Sequence, residues 1–105
     1  MRPDECSVRA ALDVIGGKWK PVIARYLLLE TRRFGELRKL MPEVTQKMLT
    51  QQLRELERAG IVQRKVYRQV PPKVEYSLST YGKTLRPILQ ALCKWGETHR
   101  ARTGQ

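Results

Sequence analysis

The chain has 105 residues, enough for one small core and too few for a barrel or a two-domain nucleotide-binding enzyme. Hydrophobic residues make up 41% and charged residues 30%, the balance of a globular rather than a disordered chain. Twenty-one Lys and Arg against ten Asp and Glu leave a net charge of +11, which points to a polyanionic partner, with nucleic acid foremost. The basic residues run from Arg2 to Arg102 instead of crowding onto one amphipathic helix, which argues against an anionic membrane surface. No apolar run reaches the roughly 18–20 residues of a membrane helix. Met1 to Glu5 form no apolar stretch, so no secretory signal is expected and the reading is of a cytoplasmic, nucleoid-associated protein.

Little covalent or metal chemistry is available. Cys6 and Cys93 stand far apart, and His99 is the single histidine, so four zinc ligands at close spacing cannot be assembled and a disulfide framework is absent. No P-loop, dinucleotide-binding glycine motif or Gly-x-Ser-x-Gly elbow is present. A Cys paired with His99 is the one nucleophile–base combination on offer, and His99 lies in a basic tail. Neither an enzyme nor a cofactor is expected.

In chain order, Val8, Ala11, Leu12 and Ile15 share one helical face, predicting a helix over 6–15 that Gly16-Gly17 stops. A second helix starts near Lys18, tolerates Pro21 in its first turn, and buries Trp19, Val22, Ile23, Tyr26 and Leu27. Thr31 to Arg33 read as a connection. Phe34 to Met41 form a short third helix ended by Pro42. Thr45 is an N-cap for a long fourth helix that runs to Ala59, with Gly60 as a left-handed stop. The period then changes. Ile61–Tyr67 and Val74–Leu78 read as strands, joined through Arg68–Lys73, a tip containing Pro71-Pro72. Ser79 or Thr80 caps a last helix whose apolar stripe is Leu85, Ile88, Leu89, Leu92 and Trp95.

Two helices joined by so short a turn, followed at once by a basic hairpin, describe a winged helix-turn-helix. The expected fold is mainly α (α+β): one domain over 1–105, with five helices and a two-stranded β-hairpin wing.

On the fourth helix Leu49, Leu53 and Leu56 share one side, and Lys47, Thr50, Gln51, Arg54 and Arg58 the other, with Thr45 and Gln46 at its N-terminal end. Gln can contact adenine, Arg guanine, and Thr a thymine methyl, so this face is a candidate for base reading in double-stranded DNA. Glu55 and Glu57 oppose phosphate, which concentrates base reading on Gln46, Lys47, Thr50 and Gln51. The alternative is an ordinary solvated helix face. Arg64, Lys65, Arg68 and Lys73 make the wing a candidate for phosphate contact, or a merely soluble hairpin, with Arg68 and Lys73 nearest the tip. Arg64 has a competing role as partner of Glu57 or Glu75. Arg32 and Arg33 are further backbone candidates. Trp19, Phe34 and Tyr76 are read as core, Trp95 as part of a dimer seam, His99 as solvated, and Cys93 as a half-buried thiol. An RNA-binding protein would show exposed aromatics on a sheet, where only Tyr67 qualifies. A ligand carrier would need convergent polar groups, and none cluster.

The motifs Gly16-Gly17-Lys18-Trp19, Arg33-Phe34 with Glu36-Leu37, Lys47-Met48-Leu49, Leu53-Arg54, Leu56-Glu57, Gly60-Ile61-Val62 with Arg64, Val70-Pro71-Pro72-Lys73-Val74-Glu75-Tyr76, and Trp95-Gly96 stand in order along nearly the whole chain. Together they resemble the HxlR-type winged helix-turn-helix transcriptional regulators. That resemblance implies a cytoplasmic homodimer that binds DNA and controls transcription, with repression the expected sign. It also implies a dimer seam made by the terminal helices, about 6–15 and 80–100, and hence a pseudo-palindromic operator. Some members sense quinones, aldehydes or oxidants through a cysteine just before the first helix, the place of Cys6. Many of them read Cys-Pro-x-Glu there, whereas this chain reads Cys6-Ser7-Val8-Arg9. The helix N-terminus and Arg9 favour a thiolate at Cys6, and Asp4 and Glu5 oppose it. A small electrophile or oxidant is therefore a candidate effector, set against a structural cysteine.

Overall fold

Each apolar period in the chain becomes an element, and those of the central helices are buried. The computed structural model describes Arg2 and residues 7–104. In order these are α1 (Val8–Ile15), α2 (Lys20–Leu29), β1 (Arg32–Arg33), α3 (Phe34–Leu40), α4 (Gln46–Arg58), β2 (Val62–Tyr67), β3 (Lys73–Leu78), a 3-10 turn (Gly82–Leu85) and α5 (Arg86–Thr103). Five helices and a β2–β3 hairpin answer the expected fold class.

Ile23 and Leu27 of α2, Leu37 of α3 with Met41 and Val44 after it, and Leu49, Leu53 and Leu56 of α4 form one buried cluster with Ile61, Val62 and Leu78. Trp19, Phe34 and Tyr76 pack against it half-buried, as core residues. The α3–α4 turn therefore holds α4 by its apolar side alone. Gly60 stops α4 at φ +79°, where a Cβ would be strained, and the Ile61 N–H closes back onto the Leu56 carbonyl at 3.0 Å. Gly17, at φ +87°, makes the corner between α1 and α2.

The structure departs from expectation at Arg32–Arg33 and at the start of the last helix. Arg32 and Arg33 are a strand and not a bare connection: they pair antiparallel with Tyr76 and Glu75, making a three-stranded sheet in the order β1-β3-β2. Two residues are too few to show alternation, and the pairing comes from β3, which would otherwise be an open edge. The last helix also begins later than Ser79 or Thr80. The Ser79 hydroxyl accepts the Gly82 N–H at 2.8 Å, so it serves the 3-10 turn that precedes α5 and not the start of α5 itself. The predicted first helix begins at Cys6, outside the described residues; the observed α1 starts at Val8.

Several apolar side chains of the terminal helices remain uncovered. Val8 and Leu12 of α1, and Ile88, Leu92 and Trp95 of α5, are each exposed by between 44% and 67%. Among the described residues no helix is long and apolar enough to cross a membrane.

Candidate nucleic-acid interface

The sequence sets α4 as a helix with two unlike sides. Thr45 opens it, its hydroxyl accepting the Met48 N–H at 3.0 Å. Leu49, Leu53 and Leu56 are at most 1% exposed. On the other side Gln46, Lys47, Thr50, Gln51, Arg54 and Arg58 line one open groove. This groove gathers the residues the sequence placed on that side, Arg58 among them, with Gln46 from the helix start. The Thr50 hydroxyl donates to the Gln46 carbonyl at 2.8 Å, so its proton is used within the helix. Thr45 stays at the helix start, exposed, with its hydroxyl engaged in the cap.

Glu55, read as a repulsive carboxylate, is neutralised. The Lys20 ammonium donates to it at 2.8 Å across a separation of 35 residues. Lys20 and then the Gln51 side chain, as hydrogen-bond donors, hold the Glu55 carboxyl below its ordinary range. A long-range pair of this kind leaves no trace in local sequence.

Sheet register divides the wing into two faces. Arg64 pairs with Tyr76, on the face of Val62 and Leu78 that turns to α4. Arg64 shares a second groove with Thr50, Leu53, Arg54, Glu57 and Tyr76, which joins it to the α4 surface. Glu75 pairs across from Lys65 and lies on the opposite face, so it is no partner for Arg64. Its partner is Lys73, at 3.5 Å. The Tyr67 ring lies between two ammonium groups, Lys65 at 4.8 Å and Lys73 at 4.7 Å from its centroid. The Tyr67 hydroxyl first, then Lys73 and Arg33, hold the Glu75 carboxyl below its ordinary range against the opposing effect of burial. Arg33, opposite Glu75 in β1, belongs to this outer network.

The expected site residues thus fall into three places. Gln46, Lys47, Thr50, Gln51, Arg54 and Arg64 converge on the α4 side. Arg33 and Lys73 sit on the outer wing face beside Glu75. Arg68 stands exposed at the wing tip, next to Val70 at 99% exposure. Arg32 is turned to structural use, its Nε donating to the Tyr26 carbonyl at 3.3 Å and its guanidinium over the Tyr26 ring. Cys6 lies outside the described residues. Cys93 is exposed on α5, lining a cleft with Val22, Arg25, Leu29 and Leu92, more open than the half-buried position read from its spacing. Among the described residues no group of three or more His, Cys, Asp or Glu could hold a metal ion.

Comparison with known proteins agrees with this geometry. Residues 14–103 match the HxlR-like helix-turn-helix family. The HTH-type transcriptional regulator YtcD of Bacillus subtilis (strain 168) is 61% identical over 93 residues, covering 89% of this chain and 74% of that one. Among solved structures, the redox regulator HypR in its oxidised form superposes with TM-score 0.86 at 55% identity, covering 89% of this chain and 96% of that chain. The reduced transcriptional regulator YodB from B. subtilis superposes with TM-score 0.77 at 33% identity, covering 92% of each chain. A helix-turn-helix closed by a hairpin wing, matched over most of its length by regulators of transcription, places the chain in the HxlR-like helix-turn-helix family of transcriptional regulators.

Proposed function

We propose that the protein is a sequence-specific double-stranded DNA-binding repressor that acts as a homodimer. One observation carries the reading: a helix fully buried on one side presents Gln46, Lys47, Thr50, Gln51, Arg54 and Arg58 together on the other. Those side chains supply the bidentate amide, guanidinium and methyl contacts that distinguish base pairs in the major groove. Arg64 extends the positive surface toward the wing, and Arg68 reaches phosphate from the tip. Arg33 and Lys73 contact the backbone with charges already shared with Glu75.

Dimerisation rests on the uncovered stripes of α1 and α5, which a two-fold copy covers with the same stripes. Half-sites then lie about one helical turn apart, or a multiple of it. Repression follows where such a dimer occupies promoter DNA in the cytoplasm. The likeness to HypR and YodB supports a second layer, in which Cys6, immediately before α1, carries an oxidant or electrophile signal.

The test is selection of duplexes from a random pool, followed by affinity measurements on selected and random DNA. A symmetric selected site, and a Gln51→Ala variant that loses about tenfold or more on that site and little on random DNA, are expected. Equal loss on both duplexes would remove the base-reading role of α4.

A further inference from the structure

We infer that Arg54 of α4 and Arg64 of β2 hold one phosphate of the DNA backbone between them, in the groove where α4 meets the wing. The inference rests on α4 as the DNA-facing helix and refines that reading at Arg54, which then holds the backbone and not a base.

The groove has a volume of about 300 Å³ and is lined by Thr50, Leu53, Arg54, Glu57, Arg64 and Tyr76. Two elements build it. Thr50, Leu53, Arg54 and Glu57 stand three and four residues apart, along one side of α4. Arg64 pairs with Tyr76 across the hairpin, on the face that turns to α4. Leu53, 1% exposed, and the half-buried Tyr76 give the groove an apolar floor, over which charges are screened less than in open water.

Neither guanidinium is committed within the chain. Among the described residues Lys20 is paired with Glu55, Arg32 with Glu30 and Lys73 with Glu75, whereas Arg54 and Arg64 form no ion pair. Glu57 lines the same groove and is in no ion pair with either of them. Two positive charges and one negative leave the groove with one positive charge, the complement of the single negative charge of a phosphodiester. Guanidinium groups present forks of N–H donors that match phosphate oxygens. Thr50 and Arg54 also line the open groove on α4, so a phosphate seated here borders the base-reading surface and fixes the register of α4 on the duplex.

The experiment replaces each phosphate of the selected operator in turn with an uncharged methylphosphonate. Affinity is measured over a salt series for wild type, Arg54→Ala, Arg64→Ala and the double variant. One position per half-site is expected at which the replacement costs wild type about tenfold or more and costs the double variant nothing. Because two cations share one phosphate, each single variant should lower the salt slope by less than about one, and the double variant by about one. Base preference should be unchanged in all three variants. Slopes that fall by about one in each single variant and about two in the double show two separate phosphates and overturn the clamp. The absence of a sensitive position in wild type, or different positions for the two arginines, equally overturns it. A base preference lost in Arg54→Ala makes Arg54 a reader and overturns it too. Unchanged affinity of the double variant for every duplex removes the reading beneath the clamp, in which α4 and the wing face DNA.

Discussion

Replacing Trp95 with alanine tests the proposed dimer. Trp95 is 67% exposed in the single chain, so the change leaves the core around Leu49, Leu53 and Leu56 intact. A tryptophan side chain offers about 200 Å², of which about 130 Å² per protomer awaits a partner. At about 25 cal/mol per Å², complete burial on both sides of a two-fold seam contributes roughly 6 kcal/mol, and half-burial roughly 3 kcal/mol. The smaller figure raises the dimer dissociation constant about a hundredfold. Sedimentation equilibrium over a concentration series should show wild type as a dimer at micromolar concentration and Trp95→Ala dissociating at far higher concentration. The thermal midpoint of the variant should approach that of dilute wild type. Wild type sedimenting at the 12.2 kDa of one chain, or an unchanged dissociation constant in the variant, refutes the reasoning.

Three further outcomes follow from the same geometry. Leu53→Ala, at a site 1% exposed, should cost roughly 2–5 kcal/mol in chemical denaturation at fixed protein concentration; a cost under about 1 kcal/mol contradicts the packing of α4. Arg68→Ala should weaken binding to every duplex and lower the salt slope by about one, whereas Lys73→Ala, whose ammonium is already shared with Glu75 and Tyr67, should lower it less; equal slopes for the two variants refute the distinction. Because the folded carboxyl of Glu75 titrates below its ordinary 4.5, its contribution to stability is present above that value and is lost as pH falls through the lower folded value; in urea denaturation the gap between wild type and Glu75→Gln should close with acidification, and a gap independent of pH refutes the linkage.

The elements that form one long stripe were legible from periodicity alone. The stripe of α4 announces both its buried side and its exposed one, and Thr45 and Gly60 mark its ends by local chemistry that involves no distant partner. The hairpin was legible from alternation, and Tyr76 from its place in it. Illegible was whatever depends on a partner far along the chain. β1 exists because β3 needs a neighbour, and Glu55 changes from a repulsive charge to a neutralised one because α2 brings Lys20 to it. The two faces of the wing lay between these cases. Lys73 and Glu75 are two apart on one strand, hence on one side, but the pairing that puts Lys65 and Tyr67 with them needed the register. For that reason composition showed how much positive charge the chain carries and could not show which cations are already paired.

That geography also constrains how a signal at Cys6 could reach DNA. The chain places Cys6 just ahead of α1, whose inward side lines a cleft with Ile61, Tyr81, Leu85 and Ile88, near the 3-10 turn and the start of α5. The groove on α4 is lined by none of these residues. In the proposed dimer, a modified Cys6 would reach DNA through the seam, where Val8 and Leu12 stand uncovered, and would act on the spacing of two α4 helices. Affinity for a full operator should fall after treatment with diamide, while affinity for an isolated half-site should not. Cys6→Ser should abolish the effect on the full operator, and Cys93→Ser should preserve it unless the two thiols pair. Equal loss on full and half-sites would place the lesion on the DNA-reading face itself. Equal loss in wild type and Cys6→Ser, or none in either, would remove Cys6 as the sensor.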